Sequence, residues 1–414
     1  MKDRKVLVEK YSQLIIEVGV NIQKDQYLMI TAPIQTAEFA RALTKHAYEV
    51  GARKVFVDYV DEQLNKINYV HAPEAAFLEY PSWVAQGKEE LASKNCAFIS
   101  ISASNPDLLK EVNPKRIATA QKTASKALEA YRRYTQNGDV AWCVASIPTV
   151  EWARKVFPNA ASDDDAVDQL WDKIFIATRI YEEDPVAAWK AHTDNLAVRT
   201  KYLTEKKIKK LHYVAPGTDL EVELPEKHIW VGGGGNNKQG TYYVANMPTE
   251  EAFTMPYKYG VNGKLASTKP LSYGGNLINN FVLHFEKGKI VDFTAEEGYE
   301  TLKELINTDE GSHYLGEVAI VPDDSPVSNT NTIFYNTLFD ENASCHFAIG
   351  SAYPDNIEGG TKMTKEELES IGVNTSLTHV DFMVGSIELD VEAETESGEK
   401  FYILKKGNWG FEVC

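Results

Sequence analysis

The chain has 414 residues, 43% hydrophobic and 25% charged, so two or three domains are expected and disordered, collagen-like and low-complexity classes are excluded. A formal net charge of −17 removes the basic footprint of a nucleic-acid binder and opposes anionic membrane surfaces; neither nucleic acid nor membrane is expected as a partner. No apolar run reaches the roughly 18–20 residues that cross a bilayer, and the start Met1-Lys2-Asp3-Arg4-Lys5-Val6 is too polar for a secretory signal, which points to a cytoplasmic protein.

In chain order, Leu7, Tyr11, Leu14, Ile15 and Val18 fall at helical spacing, with Gly19 as a stop. Gln26-Tyr27-Leu28-Met29-Ile30-Thr31 reads as a buried strand. Phe39, Leu43, His46, Ala47 and Val50 form a second helical stripe, ended by Gly51, and Lys54 to Val60 is the next strand. Strands recur at Ala97-Phe98-Ile99-Ser100-Ile101 and Val140-Ala141-Trp142-Cys143-Val144. Strands separated by helix-length segments predict βαβ units and a largely parallel sheet. From about Thr149 to Lys207 the pattern is helical, as in Val167, Leu170, Trp171, Ile174 and Phe175.

Beyond that point strands dominate: Leu211 to Val214, Leu220 to Leu224, and Phe281 to Phe285 followed by the turn Glu286-Lys287-Gly288-Lys289. Tyr299 to Ile306 reads as a helix, and Val384 to Val391 and Lys400 to Leu404 as closing strands. The fold class is therefore α/β: an N-terminal βαβ-type domain over residues 1–205, then a strand-rich α+β domain over 206–414, expected to be the catalytic one because functional groups are most often carried on loops held by a rigid scaffold.

Several features have a structural reading. Gly232-Gly233-Gly234-Gly235 lacks the Gly-Lys-Ser/Thr ending of a phosphate loop and reads as a mobile loop or tight turn. Asp163-Asp164-Asp165 after Ser162 reads as a helix start. Trp142, Trp152 and Trp171 read as core. Of the four cysteines, Cys96, Cys143, Cys345 and Cys414, none forms a CxxC pair; buried free thiols are expected at Cys96 and Cys143.

Two histidines resist a structural reading. In Thr378-His379-Val380-Asp381-Phe382-Met383, His379 and Asp381 lie two apart on a strand and so face the same way, as a pair of metal donors or a plain hydrogen-bonded pair. In Phe339-Asp340-Glu341-Asn342-Ala343-Ser344-Cys345-His346, Glu341 and His346 can share an ion if the intervening residues turn. Glu317 stands at the mouth of an apolar strand, an expensive place for an unpartnered carboxylate. Glu250 and Glu251 follow Pro248-Thr249.

On these stretches, with Leu315-Gly316-Glu317 and Gly350-Ser351-Ala352-Tyr353, the whole chain resembles the thermophilic-type metallo-aminopeptidases. The resemblance implies that Glu251, Glu317, Glu341, His346, His379 and Asp381 hold two divalent metal ions, with Glu250 a rival for the first position. It also implies Glu317 and Tyr353 as catalytic groups, short peptides as substrates and a homodimer. Mixed carboxylate and imidazole donors suit zinc, cobalt, manganese or magnesium. The competing readings are a two-metal phosphoesterase or amidohydrolase, which usually wants an Arg or Lys clamp that these stretches lack in the form of Arg, and a non-enzymatic two-lobed small-molecule binding protein.

Overall fold

The computed structural model describes residues 4–413; Met1 to Asp3, with which the polar start opens, and Cys414 lie outside the described residues. The chain divides into two compact units. The first is the chain up to Thr193 with Gly234–Thr249 and Phe334–Phe339; the second is Asp194–Gly233, Glu250–Ile333 and the chain from Asp340 on.

The first unit is built on a five-stranded parallel sheet. Its spatial order is Asn246–Met247, Trp142–Ala145, Ala97–Ile101, Tyr27–Pro33, Lys54–Val60. Four of these strands and the helix Ala37–Glu49 stand where the alternating periods place them. The fifth, Asn246–Met247, returns from late in the sequence, and Val144 N–H donates to Ala245 O at 2.7 Å. Apolar side chains at helical spacing fill the core: Tyr11, Leu14 and Leu43 are fully buried. Ser162 caps the helix Asp163–Ala177, its hydroxyl accepting from Asp165 N–H at 3.1 Å, which accounts for the acidic run. Trp152 and Trp171 are core residues, and Cys96 and Cys143 are buried free thiols. No helix among the described residues is long and apolar enough to cross a membrane.

The second unit stacks two antiparallel sheets over one core. A nine-stranded sheet carries Ile208–Ala215, Thr218–Glu223 and the hairpin Asn276–Glu286 with Lys289–Glu297. A five-stranded sheet runs His379–Met383, His346–Gly350, Leu315–Ile320, Ala252–Thr254, Val231–Gly232. Rings mesh between them: Phe347 lies 5.0 Å from Tyr213 and Phe382 lies 5.4 Å from Phe281, centroid to centroid. Full burial of a side chain of this size contributes about 1.5–3 kcal/mol.

The closing strands differ from the sequence reading. The strand expected over Val384 to Val391 begins only at Asp390. The chain turns first, with Leu389 N–H donating to Ser386 O at 3.0 Å and Ile387 65% exposed, so local turn chemistry overrides the apolar spacing. The glycine run is likewise partly ordered: Val231–Gly232 is an edge strand, and a side chain at Gly232 would sit 2.3 Å from Glu251 O.

Candidate metal centre

The five-stranded sheet places the site by alternation. On one face Ala252, Val318, Ile320, Phe347, Ile349 and Phe382 enter the core. The residues between them, Glu317, His346, Asp381 and His379, then share the opposite face. Strand pairing sets them in rows. Glu317 pairs with Ala348, which pairs with Asp381, so only a methyl group stands between two carboxylates whose backbones are about two strand spacings, or roughly 10 Å, apart across the sheet. Glu251 immediately precedes Ala252–Thr254, and Glu341 lies at the end of the short helix Thr337–Asn342.

A register shift between Leu315 and Glu317 aims Glu317 into this face. Gly316 permits it: a Cβ there would lie 2.3 Å from Ser351 O and 2.4 Å from Gly350 O. The apolar run around Glu317 marks the strand but carries no signal of the bulge.

The side chains converge. His346 Nε2 lies 2.9 Å from Glu251 Oε2 and 3.3 Å from Glu317 Oε1. His379 Nε2 lies 3.5 Å from Glu317 Oε2 and 3.3 Å from Asp381 Oδ1. Glu317 thus turns one oxygen to each imidazole and belongs to two donor trios, Glu251–Glu317–His346 and Glu317–His379–Asp381. The Glu317 and His346 side chains are 5% and 1% exposed, so neither is solvated.

Both imidazoles are held from behind. His346 Nδ1 sits 3.0 Å from Glu341 O and from Ser344 O, and His379 Nδ1 sits 2.6 Å from Ser351 O. A carbonyl accepts only from N–H, so each neutral ring carries its proton on Nδ1 and offers the Nε2 lone pair to the carboxylate side, the usual arrangement behind a metal-ligating histidine. Asp381 Oδ1 is buried and, though near His379 Nε2, lacks a hydrogen bond of acceptable geometry. An unsatisfied buried carboxylate oxygen, oriented imidazoles and crowded acids fit hard or borderline divalent cations.

The electrostatics are those of an uncompensated nest. Burial, reinforced by Asp381 and Glu251, pushes the Glu317 carboxyl up to about 7, against the lowering effect of the two histidines. Burial and the charge of Asp381 hold Glu341 well above the ordinary carboxylate range. Burial works against charge on His379, but Asp381 and Glu317 overcome it and raise the imidazole to about 9. His346 is raised in the same way by Glu251 and Glu317. Asp381 is lowered, because His379 outweighs its burial. Protons here occupy the role that a cation would fill.

Glu341 stands beside the trios without belonging to either: its carboxyl interacts electrostatically with Asp381, His346, Glu251 and Glu317. Of the adjacent acids, Glu251 enters a trio, while Glu250 donates its backbone N–H to Asn342 Oδ1 at 2.8 Å. Tyr353 lays its ring 4.7 Å from that of His379 and 6.1 Å from that of Phe253. Burial and the nearby carboxylates keep its phenol protonated, so it can donate and cannot act as a base. Cys345 is no donor: burial pushes its thiol up to about 11, and it exchanges hydrogen bonds with Val321.

Two imidazoles and several carboxylates gathered on one sheet face, with no thiolate among them, constitute the donor chemistry of a metal-dependent hydrolase. The chain matches the family described as thermophilic metalloprotease (M29) over residues 4–409, and it belongs to that family. It is 54% identical over 401 residues to aminopeptidase AmpS of Bacillus subtilis (strain 168), covering 97% of this chain and 98% of that protein. It is 52% identical to aminopeptidase 2 of Geobacillus stearothermophilus, with 98% of each chain covered. The solved structure of wild-type AmpT from Thermus thermophilus superposes with a TM-score of 0.90 at 38% identity, covering 99% of this chain and 100% of that one. Membership selects peptide hydrolysis over the phosphoesterase, amidohydrolase and binding-protein readings.

Proposed function

We propose that the chain is an aminopeptidase that removes N-terminal residues from short peptides, using two divalent cations held by Glu251, Glu317, Glu341, His346, His379 and Asp381. The observation that carries this reading is Glu317, one oxygen directed to each imidazole and shared by both trios. Glu251, Glu317, Glu341 and Asp381 supply four negative charges, which two divalent cations balance. Zinc, cobalt, manganese and magnesium all accept such donors. When bound, the cations would supply an activated water at neutral pH and polarisation of the scissile carbonyl.

The chain's own groups do the rest. Glu317 accepts the proton of the attacking water and returns it to the leaving amine. The Tyr353 phenol donates to the oxyanion as it develops. The acidic surroundings bind the substrate's free α-ammonium group, which restricts cleavage to the chain end. Unblocked di- and tripeptides are expected to release free amino acid only in the metal-loaded protein, and N-acetylated peptides are expected to resist it. Equal release by the chelated protein, or equal cleavage of acetylated peptides, overturns the reading. Tyr353→Phe is expected to lower kcat by about 10²–10³ with little change in KM or bound metal; an unaltered kcat removes Tyr353 from the mechanism.

Residues 206–414 carry the chemistry in this proposal, and 1–205 serve as scaffold and assembly surface in a cytoplasmic homodimer. Supporting the assembly role, the helix Glu62–His71 buries none of its residues and leaves Leu64, Ile67 and Val70 57%, 51% and 48% exposed.

A further inference from the structure

Asn342 is fully buried, one residue past Glu341. Its Oδ1 accepts the Glu250 backbone N–H at 2.8 Å, and its Nδ2 donates to Glu341 Oε1 at 3.4 Å. One side chain therefore grips the Thr249–Glu250 peptide, one residue before Glu251 and 92 residues away from Asn342 at Glu250, together with the carboxylate of Glu341. The same short segment holds His346, whose Nδ1 meets Glu341 O and Ser344 O. An amide meets both demands, since it accepts from an N–H at one atom and donates to a carboxylate at the other.

We infer that Asn342 is a positioning residue that sets Glu251 and Glu341 against His346 and thereby fixes the affinity of the Glu251–Glu317–His346 trio for its cation; the inference rests on the metal-centre reading above. Glu250 and Glu251 are adjacent acids at the start of a strand, so a backbone free to rotate there can offer either one. Anchoring Glu250 N–H removes that freedom and leaves Glu251 in the trio. Donation to Glu341 Oε1 engages one carboxylate oxygen and leaves Oε2 for a cation. Glu251 and His346 belong to the near trio alone, so the grip on the Glu250 N–H bears on that trio and not on His379 and Asp381 of the far one, Glu317–His379–Asp381.

The test titrates zinc into chelated, full-length parent, Asn342→Ala and Asn342→Asp proteins by calorimetry, with thermal melts of the metal-free forms alongside. His379→Ala, which retains the near trio intact, identifies which binding step belongs to which trio. The parent is expected to bind two ions. Asn342→Ala is expected to bind the near ion about 10–100-fold more weakly, and the far ion within about threefold of the parent. Asn342→Asp keeps the acceptor for Glu250 N–H but sets a carboxylate where Glu341 Oε1 needs a donor, and is expected to stay well below the parent in affinity for the near ion. Unchanged affinity for both ions in Asn342→Ala, equal weakening of both, or parental near-ion affinity in Asn342→Asp overturns the inference. If Asn342→Ala melts as an unfolded chain, Asn342→Ser takes its place with the same expected selectivity. A parent that binds fewer than two ions overturns the metal-centre reading itself, and the inference falls with it.

Discussion

Glu317→Gln is expected to lower kcat by at least about a thousand-fold and to reduce bound metal below two ions per chain, while its metal-free form melts no lower than the parent's. The substitution preserves shape and removes one charge. Glu317 turns an oxygen to each imidazole; an amide has one oxygen, so one trio would face an NH₂ group that repels a cation. Loss of a group that handles the proton alone accounts for about 10²–10⁴ in rate. Burial raises Glu317 to about 7, so its charge is a cost to the metal-free fold at neutral pH that glutamine does not carry. Steady-state kinetics, metal counting and calorimetry read the three quantities. Near-parental kcat with two ions bound removes Glu317 as the residue that both trios need, and a sharply lowered melting temperature of the metal-free variant contradicts its place in an uncompensated nest.

The local half of this site was readable from sequence, and the non-local half was not. His379 and Asp381 lie two apart in a strand, so period-two alternation puts them on one face without knowledge of the fold. The turn between Glu341 and His346 is similarly local. What makes Glu317 the shared residue is the pairing of Leu315–Ile320 with His346–Gly350 and of that strand with His379–Met383. No period encodes that register, because it is set by which face enters the apolar core. Asn342 stood inside a recognisable block, yet its partner Glu250 lies 92 residues away. The same limit explains Asn246–Met247, a two-residue strand whose place beside Trp142–Ala145 comes from tertiary pairing, while its own composition reads as loop. The parallel sheet of the first unit was legible because its strands are long and apolar and its intervening helices carry a clear stripe.

Removing the metal is expected to make stability fall as pH rises, with a gap between loaded and chelated melting temperatures that widens from pH 6 to pH 9. Glu317 is raised from 4.5 to about 7, so the folded metal-free protein holds a proton that the unfolded chain has lost; that contribution is complete below about 4.5 and is gone once pH passes about 7. His379 is raised from 6.5 to about 9, so its contribution is complete below about 6.5 and is lost as pH climbs through about 9. His346 moves in the same direction. Asp381 is lowered, so its contribution is lost only in acid, below this window. Each of the first two shifts corresponds to about 3 kcal/mol, shared among coupled neighbours and therefore not summed. Cations require the same groups deprotonated, so metal affinity strengthens as the protons leave, and bound metal adds stability in proportion to the logarithm of its saturation. The chelated protein is thus expected to lose several degrees of melting temperature between pH 6 and pH 9, and the loaded protein to lose less. A flat profile for the chelated protein, or a gap that closes with rising pH, means that protons do not stand in for cations among Glu317, His346 and His379, and the charge balance assigned to the nest is then wrong.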